Sequence, residues 1–303
     1  MNMNWKYICI FLAVGLLTAC EIIPENEREF EVFIPGDTII DIPSDTTTNV
    51  PGDTISNDST QTLPVTVKRS SLLIEYSGWM CVNCPTAAEV AHQLKEQYGE
   101  QLVVVVMHPE SNPNTRHNNK PALNYTCPEA DSIYIMMGGT STTAFPTGNI
   151  NLFKHDTKSF FTDYSMWGKY ISQAYSNPKP VIIDQEVNGS ADSKDINIVV
   201  DITNLDTKAI EATLQVWLTE DSVIGSQKKS SGTDKKYAHN HLMRASITSI
   251  WGDIVPIEAH MTQQVVYEYT LPEKVVKENC NIVSLVTING EVVQAKETRI
   301  IIE

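Results

Sequence analysis

The stretch LLIEYSGWMCVNCP, residues 72–85, decides the fold of the segment around it. Its first five residues form an apolar run of the length of a buried strand, whereas the apolar residues after Cys84 recur with helical periodicity. Pro85 suits a first helical position, where its missing N–H needs no partner, and Gly99 predicts the end of the helix. The sequence therefore predicts a strand, a turn that carries two cysteines, and a helix.

The spacing of Cys81 and Cys84 predicts a small disulfide at this junction. A thiol at a helix start faces unpaired N–H groups and the positive end of the helix dipole, which stabilise the thiolate. Two intervening residues allow the second thiol to reach back to the first, and an exposed bridge of this kind can exchange with the disulfide of a partner.

The same residues resemble the thioredoxin and protein disulfide isomerase superfamily, in which an apolar strand ends in an acid and an aromatic residue before C-x-x-C. The resemblance implies that Cys81 is the attacking cysteine, that Cys84 resolves the mixed disulfide, and that Glu75 moves the proton. The later segment AFPT, residues 144–147, resembles the superfamily's cis-proline segment, which implies that Phe145 and Pro146 shape the groove for the partner.

Residues 63–178 are predicted to form this α/β thioredoxin-like domain. The β-branched run 102–107 is typical of a strand covered on both faces. A polar insertion over 110–125 is predicted to lie on the surface. The remaining predicted elements are a helix over 128–137, a strand over 148–153 and a closing helix over 161–175.

Residues 179–303 are predicted to form an all-β sandwich of immunoglobulin or fibronectin type. The turn-rich NPKP at 177–180 marks the boundary. Asn289 and Gly290 predict a hairpin turn, and residues 225–240 are interpreted as a solvated polar loop with four lysines. Seven strands are predicted, over residues 181–187, 196–202, 212–218, 242–247, 264–271, 282–288 and 292–301.

The first 62 residues are predicted to direct export of the chain and to tether it to a membrane. Residues 1–19 have a positively charged start and an apolar run too short to span a bilayer, and LTAC at 17–20 is a lipobox. Cys20 would then carry the lipid that anchors the protein to a membrane. The alternative is an ordinary secretory signal. Residues 20–62 are rich in Asp, Thr, Ser and Pro and are predicted to form a disordered tether.

Short Asp-Ser/Thr patterns in this tether resemble the O-glycosylation sequon of Bacteroidota. The alternative reading is that Asp and Thr are simply common in linkers. The candidate acceptor residues are Thr38, Thr46, Thr54 and Ser59.

Charge and cysteine usage limit the function classes. With 22 Lys and Arg against 37 Asp and Glu, the net charge is −15, which repels nucleic acid and anionic lipid headgroups. No cofactor is predicted, and no metal, because His108 and His117 lack a second ligand at a recognised spacing. Cys127 and Cys280 remain as a pair that spacing alone does not settle.

The order of lipobox, tether, thioredoxin-like domain and β-domain resembles the outer-membrane protein 28-related lipoproteins of Bacteroidota. The stretch HNHLMR at 239–244 matches that family, and Arg244 is expected to pair with a carboxylate. The resemblance implies a lipid-anchored outer-membrane protein that faces the periplasm or the cell surface.

Two functions are compatible with these patterns. The first is thiol–disulfide exchange with exported proteins. The second is a non-enzymatic surface lipoprotein whose sandwich binds a protein or a glycan, with a purely structural disulfide. Fold alone does not choose between them, so the sequence leaves open whether the protein is an enzyme.

Overall fold

The computed structural model describes residues 68–116, 125–154, 159–177 and 179–302. The signal segment, Cys20, the tether and the four candidate glycosylation sites lie outside these residues. The described residues belong to one compact unit, so the segments predicted as a thioredoxin-like domain and a β-domain are parts of the same body.

The described residues of this unit form three α-helices and fourteen β-strands. The helices are α1 (Cys84–Tyr98), α2 (Pro128–Met136) and α3 (Trp167–Tyr175). The strands are β1 (Ser71–Tyr76), β2 (Leu102–Met107), β3 (Thr147–Ile150), β4 (Val181–Gly189), β5 (Asp195–Asn204), β6 (Ile210–Glu220), β7 (Val223–Lys229), β8 (Gly232–His239), β9 (Leu242–Ser246), β10 (Asp253–Ile257), β11 (Thr262–Thr270), β12 (Cys280–Ile288), β13 (Glu291–Arg299) and β14 (Ile301–Ile302).

One eight-stranded sheet runs through both halves of the chain. Its order is β13-β12-β6-β9-β2-β1-β3, and β10 pairs with β6. β1 runs parallel to β2 from the pair Ser71 and Leu102 onward, whereas β3 is antiparallel to β1. The halves join where Val106 of β2 pairs with Leu242 of β9. This pairing places C-terminal residues beside the cysteine-bearing segment.

Helices cover both faces of β1 and β2, which explains why every residue of these two strands is buried. On one face Leu73 and Val104 lie in the same apolar core as Trp167 of α3. On the other face Leu72 and Ile133 of α2 share a core with C-terminal residues. Full burial of one such side chain stabilises the fold by about 1.5–3 kcal/mol.

A second sheet, of order β11-β5-β4-β14, packs on the C-terminal half of the central sheet. Inward-facing residues such as Ile198 and Val200 of β5 share one core with Leu214 and Val216 of β6. The C-terminal half is therefore a β-sandwich, and all seven predicted strands are present in it.

Four predicted features differ from the structure. The strand predicted over 148–153 ends at Ile150, because Asn151 and Leu152 take left-handed conformations with φ of 58° and 55°. The closing helix begins only at Trp167, after a short 3₁₀ turn. The insertion is not wholly on the surface, since Asn112 is fully buried and donates a hydrogen bond to the Thr143 carbonyl.

The fourth difference is the largest. Residues 225–240, predicted as a solvated loop, contain most of β7 and all of β8, which form a hairpin. These two strands pair with each other and with no other described strand. The hairpin packs on the turn that carries the cysteines.

Candidate functional site

Cys81 and Cys84 form a disulfide at the start of α1, with their Cα atoms 5.5 Å apart. Pro85 lies in the first turn of the helix, and Gly99 follows its last residue with a φ of 57°, as the sequence predicts. The expectation of an exposed bridge is wrong, because only 5% of Cys81 and 2% of Cys84 is exposed.

The β7–β8 hairpin contributes to this burial. The Gln227 side chain, itself 2% exposed, donates hydrogen bonds from Nε2 to the carbonyl oxygens of Cys81 (2.9 Å) and Gly78 (3.4 Å). The backbone N–H of Lys228 donates to the Trp79 carbonyl at 2.7 Å. The carbonyl groups of the cysteine turn thus accept hydrogen bonds from β7, which is distant from them in the sequence.

A second set of contacts holds the hairpin near its base. The backbone N–H of Ser226 donates to the Tyr125 hydroxyl at 2.7 Å, and the rings of Tyr125 and His239 lie 4.4 Å apart. A side chain at Gly225 would collide with the Tyr125 hydroxyl, so a larger residue there would require the buried Tyr125 ring to move. Burial lowers the pKa of His239 to about 4, so its ring is neutral at physiological pH.

Glu75 lies near the end of β1 and is completely buried. Among the described residues, neither of its carboxylate oxygens has a hydrogen bond of normal geometry. Burial raises the pKa of Glu75 to about 7, and the neighbouring Ser77 and the charge of His241 offset only part of this shift. A carboxyl group of this kind exchanges protons at neutral pH.

Glu75 and Cys84 line the same small pocket, of about 30 Å³. This volume accommodates about one water molecule. A larger cavity of about 350 Å³ lies beside it between α1 and the hairpin, and Glu75, Lys229 and His241 are among its lining residues. The carboxyl group that the sequence singles out therefore lies close to the second cysteine of the bridge.

His241 connects this region to an ion-pair cluster. Its Nδ1 atom lies 3.4 Å from Asp221 and 3.8 Å from Glu297, and Glu297 pairs with Lys95 of α1 at 2.8 Å. Burial lowers the pKa of His241, but its hydrogen bond to Glu297 and the two carboxylate charges outweigh burial and raise it. No local pattern in the HNHLMR stretch assigns a role to His241, because Asp221 and Glu297 are distant from it along the chain.

Phe145 and Pro146 precede β3, and the peptide bond between them is cis, as the resemblance implies. Thr147, the first residue of β3, pairs with Tyr76, the last residue of β1. This register places Phe145 and Pro146 at the sheet end from which the cysteine turn leaves. The Phe145 ring packs 5.9 Å from that of Tyr134.

Cys127 and Cys280 do not pair with each other. Both are buried free thiols, and burial raises the pKa of each to about 12, which makes them poor nucleophiles. Arg244 has the structural role predicted for it, because its Nε lies 3.1 Å from a carboxylate oxygen of Glu220.

The part of the chain that the structure describes has neither a metal-binding cluster nor a membrane-spanning helix. Residues 68–116, 125–154, 159–177 and 179–302 include no group of three or more His, Cys, Asp or Glu side chains placed to hold a metal ion. Over those same residues, no helix has both the length and the apolar character needed to cross a membrane.

Comparisons with known proteins place the chain in a family. HBP35 of Porphyromonas gingivalis has a similar structure (TM-score 0.60, 15% identity), which covers 78% of this chain and 76% of HBP35. A domain of the outer membrane lipoprotein Omp28 from the same organism matches at 22% identity and a TM-score of 0.31, over 41% of this chain and 91% of that domain. No curated protein sequence is significantly similar. The family model of outer membrane protein Omp28 matches residues 139–301, more than half of the 303 residues. The chain belongs to the Omp28 family of outer membrane proteins.

Proposed function

We propose that this Omp28-family protein is a thiol–disulfide exchange protein, with Cys81 and Cys84 as the redox pair of a thioredoxin-like unit. One observation carries the proposal: Cys84, at the first position of α1, shares a pocket with Glu75, whose pKa of about 7 lies in the physiological range. The parallel β1–α1–β2 unit and the adjoining antiparallel β3 support the thioredoxin-like description.

The exchange uses two electrons. A partner thiolate attacks Cys81 Sγ, the Cys81–Cys84 bond breaks, and Cys84 leaves as a thiolate. Glu75 then donates its proton to Cys84 across the shared pocket. A second partner thiolate breaks the mixed disulfide, which releases the oxidised partner and leaves both cysteines reduced. The reverse sequence, from reduced Cys81 and Cys84, reduces a partner disulfide.

The reduction potential of the Cys81–Cys84 pair tests this function. Thiol alkylation and mass spectrometry across glutathione ratios should give a value between about −120 and −270 mV, the range of exchanging disulfides. A value below about −300 mV would identify a structural bridge and contradict the proposal.

A trapping experiment gives an independent test. In a Cys84→Ser variant the mixed disulfide at Cys81 cannot be resolved, so adducts with exported proteins should accumulate in cells. Cys127→Ser is the matched control, because Cys127 is also a buried cysteine next to a helix start but has no disulfide partner. Equal amounts of adduct in both variants would contradict the exchange function.

A binding role for the sandwich is the second candidate. An open cavity of about 810 Å³ lies at the ends of β4, β5 and β11, and Asn188, Asp195, Glu268 and Tyr269 are among its lining residues. Polar groups around an aromatic ring suit a glycan. The burial of both cysteines also favours this candidate, because a buried bridge is suited to a structural role. Glycan-array binding that Tyr269→Ala abolishes would support it.

For the location, we propose lipid anchoring through Cys20 in the outer membrane, facing the periplasm or the cell surface. The lipobox supports this attachment. A Cys20→Ser variant should lose labelling by palmitate and leave the outer-membrane fraction. Protease treatment of intact cells would then distinguish the two faces.

A further inference from the structure

The β7–β8 hairpin is weakly attached to the rest of the molecule. Its two strands form a separate sheet, and an isolated two-stranded hairpin is at best marginally stable. Most of its side chains are exposed or half-exposed; Gln227 and His239 are its buried exceptions. Val223 packs on an apolar cluster at the base of the hairpin, but the rest of the hairpin has little apolar surface, which is typical of segments that open at low free-energy cost.

The hairpin is held by the packing of the His239 ring on Tyr125, by the packing of Val223 beside Val106 and Leu242, and by four hydrogen bonds. These bonds are the Gln227 amide on Cys81 and Gly78, the Lys228 N–H on Trp79, and the Ser226 N–H on Tyr125. When the hairpin moves away, water can replace each of these hydrogen bonds. The net stabilisation from each is therefore only about 0.5–1.5 kcal/mol.

The position of the hairpin affects the access of a small thiol to Cys81 differently from the access of a protein thiol. A small thiol needs only a narrow opening to reach Cys81, and 5% of the surface of Cys81 is exposed in the docked state. A cysteine on a protein brings its flanking residues with it, and these need room beside the cysteine turn, where Gln227 and Lys228 of the docked hairpin make their hydrogen bonds. The docked hairpin therefore discriminates between the two classes of partner.

We infer that Gln227 determines the specificity of the disulfide: it holds the hairpin over Cys81, so that small thiols react in the docked state and protein thiols react only after the hairpin is released. This inference rests on the proposed exchange function and names its partner classes. In both cases the thiolate attacks Cys81 Sγ and Cys84 leaves. Two small thiols are oxidised to one disulfide, and their protons end on Cys81 and Cys84.

Reduction kinetics of the oxidised full chain test the inference. The rate with cysteine is compared with the rate for a reduced thioredoxin, a protein dithiol, in the wild type and in Gln227→Ala. Loss of the Gln227 hydrogen bonds should raise the rate with the protein dithiol by about tenfold and change the cysteine rate by less than twofold.

Two further variants make this test secure. Tyr125→Phe removes the hydroxyl that accepts the Ser226 hydrogen bond, so it loosens the hairpin without touching the cysteine turn and should act in the same direction. Gln264→Ala is the matched control, because Gln264 is an exposed glutamine on β11 that bonds Asp201. It should change neither rate.

The possible results separate the two proposals. If Gln227→Ala and Tyr125→Phe both leave the protein rate unchanged, the specificity inference is overturned, even if the reduction potential lies in the exchange range. The reduction potential is an equilibrium quantity, so it does not depend on how fast a protein partner reaches Cys81. A potential below about −300 mV would overturn the exchange function and, with it, the specificity inference.

Discussion

The end of β1 and the C-terminal part of β13 each hold a glutamate shielded from water, yet the two carboxyl groups behave in opposite ways. Glu75 on β1 has no well-formed hydrogen bond, and burial raises its pKa to about 7. At Glu297 on β13 burial also acts to raise the pKa, but His241 and Lys95 outweigh it and lower the pKa. Burial is common to both, so the partners decide the difference.

This difference separates a group suited to chemistry from one suited to stability. Glu75 can gain or lose a proton near neutral pH because burial outweighs Ser77 and the charge of His241 and holds its pKa at about 7. Glu297 remains an anion that ties α1 to β13 through the 2.8 Å pair with Lys95. The charge of His241 reaches both carboxylates, which makes it the link between the two regions.

The largest effect is expected in the pH dependence of stability. Glu75 has a folded-state pKa of about 7 against 4.5 for an unperturbed group, so between these values the folded state binds more protons than the unfolded state. Its contribution therefore falls as pH rises through this window, by about 3 kcal/mol in total. Urea unfolding from pH 4 to pH 8 should show this loss in the wild type.

Glu75→Gln removes the titrating group and serves as the comparison. The free energy of unfolding of this variant should lack the fall of about 3 kcal/mol, although a constant offset from the buried amide is expected. Parallel pH profiles of the two proteins would show that Glu75 has an ordinary pKa, and the contrast with Glu297 would disappear.

An intermediate effect is expected from Glu297→Ala. The substitution leaves Lys95 and His241 without their shared carboxylate in a largely buried place, which destabilises the fold. Removing one partner of a fully buried ion pair lowers the free energy of unfolding by about 3–5 kcal/mol. The side chains of Lys95 and Glu297 are 24% and 15% exposed, so we expect a loss of about 2 kcal/mol. Urea denaturation at pH 7 measures this quantity.

Glu100→Ala is the matched control for this change. Glu100 lies 3.8 Å from Lys296, but its side chain is 95% exposed, so its removal should have no measurable effect. A loss for Glu297→Ala as small as for Glu100→Ala would mean that the cluster around His241 contributes nothing to stability.

The smallest effect is expected from His241→Asn. Asparagine tolerates the left-handed conformation of His241, whose φ is 54°, so the backbone should be preserved. Without the nearby positive charge the pKa of Glu75 should rise further, an effect below about 1 kcal/mol. NMR titration of the Glu75 carboxyl carbon tests this, and an unchanged midpoint would show that the charge of His241 does not reach Glu75.

Local sequence patterns were enough to predict those elements whose own residues carry a strand, helix or turn signal. The all-apolar run of β2 predicts a strand covered on both faces, and Pro85 and Gly99 mark the limits of α1. The turn at Asn289 and Gly290 has φ of 53° and 80°, in agreement with the predicted hairpin. These signals are read within about ten residues, where propensity and periodicity operate.

The hairpin gave no such signal. β7 and β8 read VIGSQKK and GTDKKYAH, without the apolar alternation that predicts a half-buried strand. They are ordered by pairing with each other and by polar contacts to the cysteine turn, and such contacts leave no periodic pattern. The same reasoning explains why Asn112 was predicted to lie on the surface although it is fully buried.

The sequence by itself determined the cysteine spacing, the strand and helix that flank it, the position of Glu75 and the strand content of the C-terminal half. Only the tertiary structure decided that the disulfide is covered, that burial outweighs the charge of His241 at Glu75, and that Cys127 and Cys280 remain apart. The physical reason is distance along the chain: Gln227 bonds Cys81 across 146 residues. Burial and pKa depend on such contacts, which no local pattern specifies.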